Sequence, residues 1–374
     1  MEKLFEDKVR KEYRYSKHLE KSYDFYDITA RPEFVAIRKM MNDWFSRYPE
    51  IGKQQLKRDF RSQFDSAFFE LFIHELFYQQ GFELTPHPPV PNSTKNPDFL
   101  ATRGDLEVYL EAKVATDKSN DERTLENKLG AIYDELQKLT SVTYLIEIED
   151  IVFKSDKQAK LSKLRNRIQE WLDECNFRQQ PPYNDYDEDG EECFSYSDDD
   201  VKISLRAHAG VITDGHPILN YLGGSFVGGC EEALTGAIRD KGSKYGQLDK
   251  PYIVCINMIG IRDPRTNEIH KTLFGLRRQL METGYYIDAS FSTELDGILK
   301  TSNGPSFRQV SAFLITRVFP SNLHLAEHWL IEHPETKNRI DLHTLDLSYH
   351  YPGDRSLLTS TNKSIGQILS HSLP

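Results

Sequence analysis

The chain has 374 residues, of which 38% are hydrophobic and 11% aromatic, a composition typical of a folded protein rather than a disordered one. No apolar run reaches the length of a membrane-spanning helix, and the first residues, MEKLFED, lack the pattern of a signal peptide. The net charge of −11 argues against a generic nucleic-acid binder, because non-specific affinity depends on neutralising phosphates. We therefore expect a cytoplasmic protein with no membrane partner.

The acidic charge is concentrated in one segment. Residues 185–200 hold nine acidic side chains and no basic one, so the rest of the chain carries a net charge near −2. Such a run predicts a solvated, disordered loop. The four cysteines show no CxxC spacing and predict reduced thiols rather than zinc ligands or disulfides: Cys175, Cys193, Cys230 and Cys255.

The first part of the chain has helical patterns. Residues 1–60 are predicted to be mainly helical, with Pro32 opening one helix. Apolar residues then recur at helical spacing over residues 64–80, and Gly81 is predicted to end that helix. A short strand follows directly, at residues 81–85, and leads into a proline-rich turn.

The next two predicted strands carry charged groups that suit metal-assisted hydrolysis. Asp98 follows Pro97 at the start of one strand, and Glu111 and Lys113 lie in the alternating strand at residues 106–115. Two carboxylates can hold Mg²⁺, which activates water and shields phosphate charge, while a lysine orients or deprotonates that water. The alternative is that these are unrelated surface charges on ordinary strands.

The helix before these strands offers further candidates. Glu70 lies among its apolar residues, and Glu75 is a second acid on the same helix. His74 lies one turn after Glu70 on the same face, where it would be able to touch a phosphate. The alternative for each acid is a position facing solvent, and for His74 a satisfied polar group at the helix surface.

The order of helix, strand, strand and strand from about Arg61 to Thr116 resembles the core of the PD-(D/E)xK nuclease superfamily, the restriction-endonuclease-like fold. Within it the chain is similar to a group of uncharacterised bacterial proteins, and this likeness extends over most of the chain. Members of that group often lack the lysine that this chain keeps as Lys113. The matching blocks are residues 68–71 (FFEL), 81–82, 87–88, 97–99 (PDF), 111–112, 241–246 (KGSKYG), 251–254 (PYIV) and 333–334.

The resemblance implies roles for individual residues. Asp98 and Glu111 would be metal ligands, Glu70 would complete the ligand set, and Lys113 would position the water or act as general base. Glu70 is preferred to Glu75 because it lies eleven residues before Gly81, where the superfamily usually carries its acid. Weaker candidates are Glu75, His74 and Lys244. The implied cofactor is Mg²⁺ or Mn²⁺.

The resemblance also predicts an α/β fold: a helix, a mixed central sheet and flanking helices, with a helical N-terminal extension and insertions. The core would be completed either by the helix at 122–139 and the strand at 143–153, or by the helix at 231–245 and the strand at 251–258. The second alternative matches the superfamily better.

The predicted domains follow from the second alternative. They are an N-terminal extension (1–60), a nuclease-like domain (61–320) with an insertion (about 117–230), and a C-terminal extension (321–374) whose Ser- and Thr-rich last residues are expected to fray.

The function implied is a metal-dependent endonuclease that acts on nucleic acid, expected to be DNA, in bacterial defence or repair. Two alternatives stay open: an RNA-acting nuclease, and a catalytically silent binding or assembly module that kept the fold. A homodimer, or a partner protein that supplies specificity, is also compatible with the sequence.

Overall fold

A computed structural model of the chain describes residues 2–91, 93–116, 120–141, 144–178, 193–209, 217–219, 230–260, 264–279, 292–295, 297–301, 304–353 and 357–373. The α-helices are α1 (Ser22–Ile28), α2 (Pro32–Arg47), α3 (Glu50–Ser62), α4 (Phe64–Tyr78), α5 (Asn120–Leu136), α6 (Leu161–Arg178), α7 (Cys230–Gly242), α8 (Thr266–Phe274) and α9 (Ile365–Ile368). The strands are β1 (Glu83–Pro86), β2 (Phe99–Arg103), β3 (Leu106–Ala115), β4 (Tyr144–Phe153), β5 (Cys193–Ser197), β6 (Val201–Ala209), β7 (Tyr252–Met258), β8 (Leu276–Gln279), β9 (Ser292–Leu295), β10 (Lys300–Thr301), β11 (Gly304–Pro305), β12 (Ala312–Thr316), β13 (His328–Glu332), β14 (Tyr349–Pro352) and β15 (Leu357–Ser360).

The chain divides into two compact units. We call residues 1–14, 21–117 and 228–374 the main unit, and residues 15–20 and 118–227 the inserted unit. Residues 118–227 of this unit overlap the segment of about 117–230 that the sequence analysis describes as an insertion, whereas residues 15–20 lie outside that segment.

The main unit is built on a mixed sheet in the order β1-β2-β3-β7-β12-β13-β14-β15. Strands β1, β2 and β3 are antiparallel neighbours, whereas β3, β7 and β12 run parallel. The partner of β3 is thus the strand predicted at 251–258, preceded by α7, and not the strand predicted at 143–153. The α/β class with a mixed central sheet flanked by helices is confirmed.

Alternation along β3 gives the sheet two different faces. Val108 and Leu110 belong to the core on the α4 side, whereas Tyr109 belongs to the core on the α7 side. Because side chains two residues apart share a face of a strand, Glu111 and Lys113 lie on the α7 side with Tyr109. Strand β7 is buried along its whole length, which explains its continuous apolar sequence.

Helix α4 is apolar on nearly all sides because it is covered both by the sheet and by the N-terminal helices. Ten of its fifteen residues are buried, including Phe69 and Phe72. The helix stops where Gly81 takes a φ of +83°, and the amide of Phe82 bonds back to the carbonyl of Phe77 at 3.1 Å. This is the left-handed helix ending for which glycine is suited.

The segments expected as terminal extensions belong to the main unit, apart from residues 15–20. Trp44 and Phe45 of α2 are fully buried in the core on the α4 side. Strands β13 to β15 extend the central sheet beyond residue 320. The expectation that the last residues fray is wrong for the part described, because Ile365 and Leu369 are completely buried.

The inserted unit has its own sheet, in the order β4-β6-β5, and its own core with α5 and α6. The expected acidic loop at 185–200 is only partly described, since 185–192 lie outside the described residues. Its second half is not a disordered loop: β5 pairs with β6, and Asp198 Oδ1 accepts hydrogen bonds from the amides of Asp200 and Val201, each at 2.9 Å. The acidic composition of this run could not predict the turn that these hydrogen bonds from backbone amides to Asp198 form.

Within the described ranges two features are absent: a disulfide bond between cysteines and a helix able to cross a membrane. Cys175, Cys230 and Cys255 are buried free thiols. None of the helices there combines the length and the apolar character needed to cross a bilayer.

Candidate functional site

Three carboxylates come from three different elements of the main unit. Glu70 lies on α4, Asp98 immediately precedes β2, and Glu111 lies in β3. Phe99 pairs with Leu110, so Asp98 and Glu111 occupy the next step of the same antiparallel register. Asp98 Oδ2 accepts a hydrogen bond from the amide of Ala112 at 2.7 Å, which fixes its side chain beside β3. We call Glu70, Asp98 and Glu111 the acid cluster.

The members of the acid cluster affect one another's ionisation. Burial, together with the charges of Glu111 and Glu70, raises the pKa of Asp98 to about 7, against the opposing effects of the Ala112 amide and Lys241. Burial also raises the pKa of Glu70, with the hydroxyl of Tyr48 opposing and the charge of Glu111 adding to it. Each of these negative charges disfavours ionisation of the others, and a bound cation would oppose that effect.

Glu111 is completely buried and receives three hydrogen bonds. Its Oε1 accepts from the ammonium groups of Lys241 and Lys244, the latter at 2.8 Å, and its Oε2 accepts from the hydroxyl of Tyr245. Burial alone would lower the pKa of Lys241. The charge and hydrogen bond of Glu111 outweigh this effect, so the pKa of Lys241 is above its usual value. We call Lys241, Lys244 and Tyr245 the lysine–tyrosine group.

Lys113 lies on the α7 side of β3, as Glu111 does, but it bonds elsewhere. Its ammonium contacts Asp240 Oδ2 of α7 at 2.7 Å, and the two side chains are 35% and 55% exposed. The hydrogen bond from Lys113 holds the pKa of Asp240 below its usual value. Lys113 is only two residues from Glu111 along β3, but its ammonium is paired with Asp240, which is not a member of the acid cluster.

The other two candidates on α4, Glu75 and His74, are buried and held by contacts within the fold. Glu75 is fully buried and forms two hydrogen bonds with the guanidinium of Arg47, at 2.6 and 3.0 Å. His74 is 2% exposed and packs against the rings of Tyr48 and Phe99, and burial lowers its pKa to about 4. The alternative of a polar residue at the helix surface is wrong for His74, and so is a solvent-facing position for Glu75.

Sequence reasoning missed three residues that contact the cluster: Tyr48, Lys241 and Tyr245. Lys244 was a weak candidate, and the structure shows that it binds Glu111 directly. A signal was present, because Lys241, Lys244 and Tyr245 are spaced three and four residues apart at a predicted helix end. Residues at that spacing lie on one face of a helical turn.

The donor chemistry of the acid cluster fits a hard divalent cation, which prefers carboxylate oxygens. These side chains are not arranged as a ready cation site. In the part of the chain that the structure describes, no three His, Cys, Asp or Glu side chains are grouped to hold a metal ion. The reason is visible at Glu111, whose two oxygens face the lysine–tyrosine group. Binding a metal therefore requires Glu111 to exchange at least one of these bonds for a bond to the metal.

Comparisons with protein-family models, with characterised proteins and with solved structures find no match to this chain.

Proposed function

We propose that this chain is a metal-dependent nuclease with a restriction-endonuclease-like core, acting on the phosphodiester bonds of DNA. The observation that carries the proposal is the placement of Asp98 beside Glu111 at the start of the β2–β3 pairing, where the amide of Ala112 holds the Asp98 carboxylate at 2.7 Å. The charges of Glu111 and Glu70 add to the effect of burial and raise the pKa of Asp98. Buried acids with strongly shifted pKa values are more frequent in functional sites than elsewhere.

The topology supports the same proposal. Within the main unit, α4, β1, β2, β3, α7 and β7 are a helix, three antiparallel strands, a helix and a parallel strand, with the inserted unit between β3 and α7 in the chain. Helices α4 and α7 lie on opposite faces of the sheet. This is the arrangement that the sequence resemblance predicts for the nuclease core.

Asp98, Glu111 and Glu70 would hold Mg²⁺ or Mn²⁺, which supplies an activated water and shields the phosphate charge when bound. The amide of Ala112 orients the Asp98 carboxylate, and Tyr48 orients that of Glu70. Lys113 shares the face of Glu111, so it would position the attacking water after exchanging its contact with Asp240.

A second candidate is a silent nucleic-acid-binding module, and one observation favours it. Both oxygens of Glu111 are already bound by the lysine–tyrosine group, so its charge is compensated without a metal. Such a module would keep the fold and bind Mn²⁺ no more tightly than its Asp98→Asn variant.

The test is cleavage of plasmid, linear duplex, single-stranded DNA and RNA in the presence of Mg²⁺ or Mn²⁺. Asp98→Asn should lower the rate at least about a hundred-fold because it removes a ligand charge. Lys113→Gln should reduce turnover and leave Mn²⁺ affinity nearly unchanged.

The matched control is Asp249→Asn, whose acid pairs with Lys250 in a loop of the same unit. Equal background signal in wild type and Asp98→Asn would refute the nuclease and favour the silent module, whereas cleavage of RNA alone would correct the substrate.

A further inference from the structure

The lysine–tyrosine group lies at the C-terminal end of α7. Lys241 is in the last turn of α7, and Lys244 and Tyr245 follow directly after the helix ends at Gly242. Cations are favoured near a helix C-terminus, where free carbonyl groups carry partial negative charge. Here both ammonium groups point instead at one carboxylate oxygen, Oε1 of Glu111.

Two ammonium groups and one hydroxyl converge on the single carboxylate of Glu111, while the charges of Asp98 and Asp240 also act on Lys241. Holding two lysines beside one carboxylate costs desolvation and side-chain entropy. Three donors that converge on one small anion also match the several acceptor oxygens of a phosphate group.

The two lysines of the group can be reached from solvent, whereas Tyr245 and Glu111 are buried. The side chains of Lys241 and Lys244 are 16% and 24% exposed, and that of Glu111 is 0% exposed. A ligand that approaches from solvent therefore meets the two lysines before it meets Glu111.

We propose that Lys241, Lys244 and Tyr245 form a binding site for a backbone phosphate of nucleic acid, and that the carboxylate of Glu111 occupies this site while no nucleic acid is bound. The inference rests on the substrate class of the proposed function, but it does not require cleavage.

The charges of the site are consistent with this exchange. The acid cluster carries three negative charges when it is fully ionised, and the two lysines carry two positive charges. One divalent cation and one phosphodiester bring the total to zero. Glu111 is the group common to both sets, so turning it toward Asp98 frees the lysines for the phosphate.

The experiment measures binding of a fluorescent single-stranded oligonucleotide in EDTA, by anisotropy at several salt concentrations. The double variant Lys241→Gln/Lys244→Gln should bind about ten-fold more weakly, with a salt slope shallower by about 1 for each lysine lost. The control Lys250→Gln removes a lysine from the same region that pairs with Asp249 and Glu107, and should bind within about two-fold of wild type.

Glu111→Gln gives the sharper expectation. Removing its charge weakens the internal competitor, so this variant should bind the oligonucleotide about three- to ten-fold more tightly than wild type in EDTA. A purely structural role of the lysines predicts the opposite, since the loss of the ion pairs would loosen the site. Tyr245→Phe removes one donor without changing charge, and provides a milder variant if the double lysine variant does not fold.

Two results would overturn the inference: equal binding by wild type, the double lysine variant and Lys250→Gln, or no measurable binding by wild type and by Glu111→Gln. The outcome is separable from the proposed function. Metal-dependent cleavage that Asp98→Asn abolishes, with unchanged binding by the lysine variants, would retain the nuclease and reject the phosphate site. Lysine-dependent binding without cleavage would retain the phosphate site and reject the nuclease.

Discussion

Two glutamates five residues apart on α4 have opposite surroundings. Glu75 is fully buried, and its two oxygens are bound by Arg47 and by the side-chain amide of Gln79. Glu70 is half-buried, and within the described residues it forms no ion pair. Its hydrogen bond comes from the neutral hydroxyl of Tyr48. Burial raises the pKa of Glu70, and nearby acids add to the shift.

The difference separates a stabilising acid from one that carries an electrostatic cost. A buried carboxylate with a bidentate guanidinium has its charge satisfied by the fold itself. A buried carboxylate beside two others destabilises the fold, and such groups are typical of sites that bind a cation or transfer a proton. Removing each kind of acid should therefore change stability in opposite directions.

Breaking the compensated pair should have the largest effect. Glu75→Gln leaves the guanidinium of Arg47 without its partner, and should lower the free energy of unfolding by about 3–5 kcal/mol. The control is Glu50→Gln, because Glu50 is 82% exposed and pairs with Lys53, so its loss should cost less than about 0.5 kcal/mol. Urea unfolding of both variants checks this, and equal midpoints would contradict it.

Asp98 should give the next largest effect, with a defined pH dependence. Its pKa in the folded chain is about 7, above the usual 3.8, so between pH 4 and 7 the folded state binds more protons than the unfolded state. Its contribution to stability therefore falls as pH rises through this window and levels off above pH 7. Asp98→Asn removes this loss and should be more stable than wild type at pH 8 by on the order of 2–4 kcal/mol.

Thermal unfolding of wild type and Asp98→Asn from pH 4 to pH 8 tests this sign. A difference that stays constant with pH would show that Asp98 titrates alike in the folded and unfolded chain.

Glu70→Gln should stabilise the chain by a smaller amount. The amide keeps an acceptor for the hydroxyl of Tyr48 and removes a charge that burial disfavours. We expect the free energy of unfolding at pH 8 to rise by about 1 kcal/mol. Under the proposed function the same variant should lose Mn²⁺ affinity, measured by calorimetry. A stabilised variant with unchanged Mn²⁺ affinity would remove Glu70 from the ligand set.

Lys113→Gln should have the smallest effect on stability. Its partner Asp240 is more than half exposed, and exposed pairs contribute about 0–1 kcal/mol. A melting temperature within about 2 °C of wild type, beside a clear loss of turnover, would separate a role in the reaction from a role in the fold.

The sequence predicted what depends on local pattern. The predicted strand 106–115 matches β3 at both ends, because its apolar and polar residues alternate and Pro and Gly are absent from it. Strand β7 was also predicted, at 251–258, because its sequence is a continuous apolar run. Strands β13 to β15 were missed because they are four or five residues long and mix polar with apolar side chains.

The site was predicted less completely than the fold. The acid cluster was named from sequence, and its role in binding a metal stays a prediction. The contacts of Glu111 with the lysine–tyrosine group join residues 130 or more positions apart, which no periodicity can indicate. For the same reason the pairing of Lys113 with Asp240 was not expected. Partner choice among charged side chains is decided by tertiary packing.

The parallel pairing of β3 with β7 has a consequence for the timing of folding. Glu111 precedes Lys241 by 130 residues, so a ribosome adding about 5–20 residues per second needs on the order of ten seconds to pass from one to the other. During that interval the central strand of the nascent chain has neither its parallel neighbour nor the two lysines that bind Glu111. Synthesis of α7 and β7 is therefore the step that permits the site to assemble.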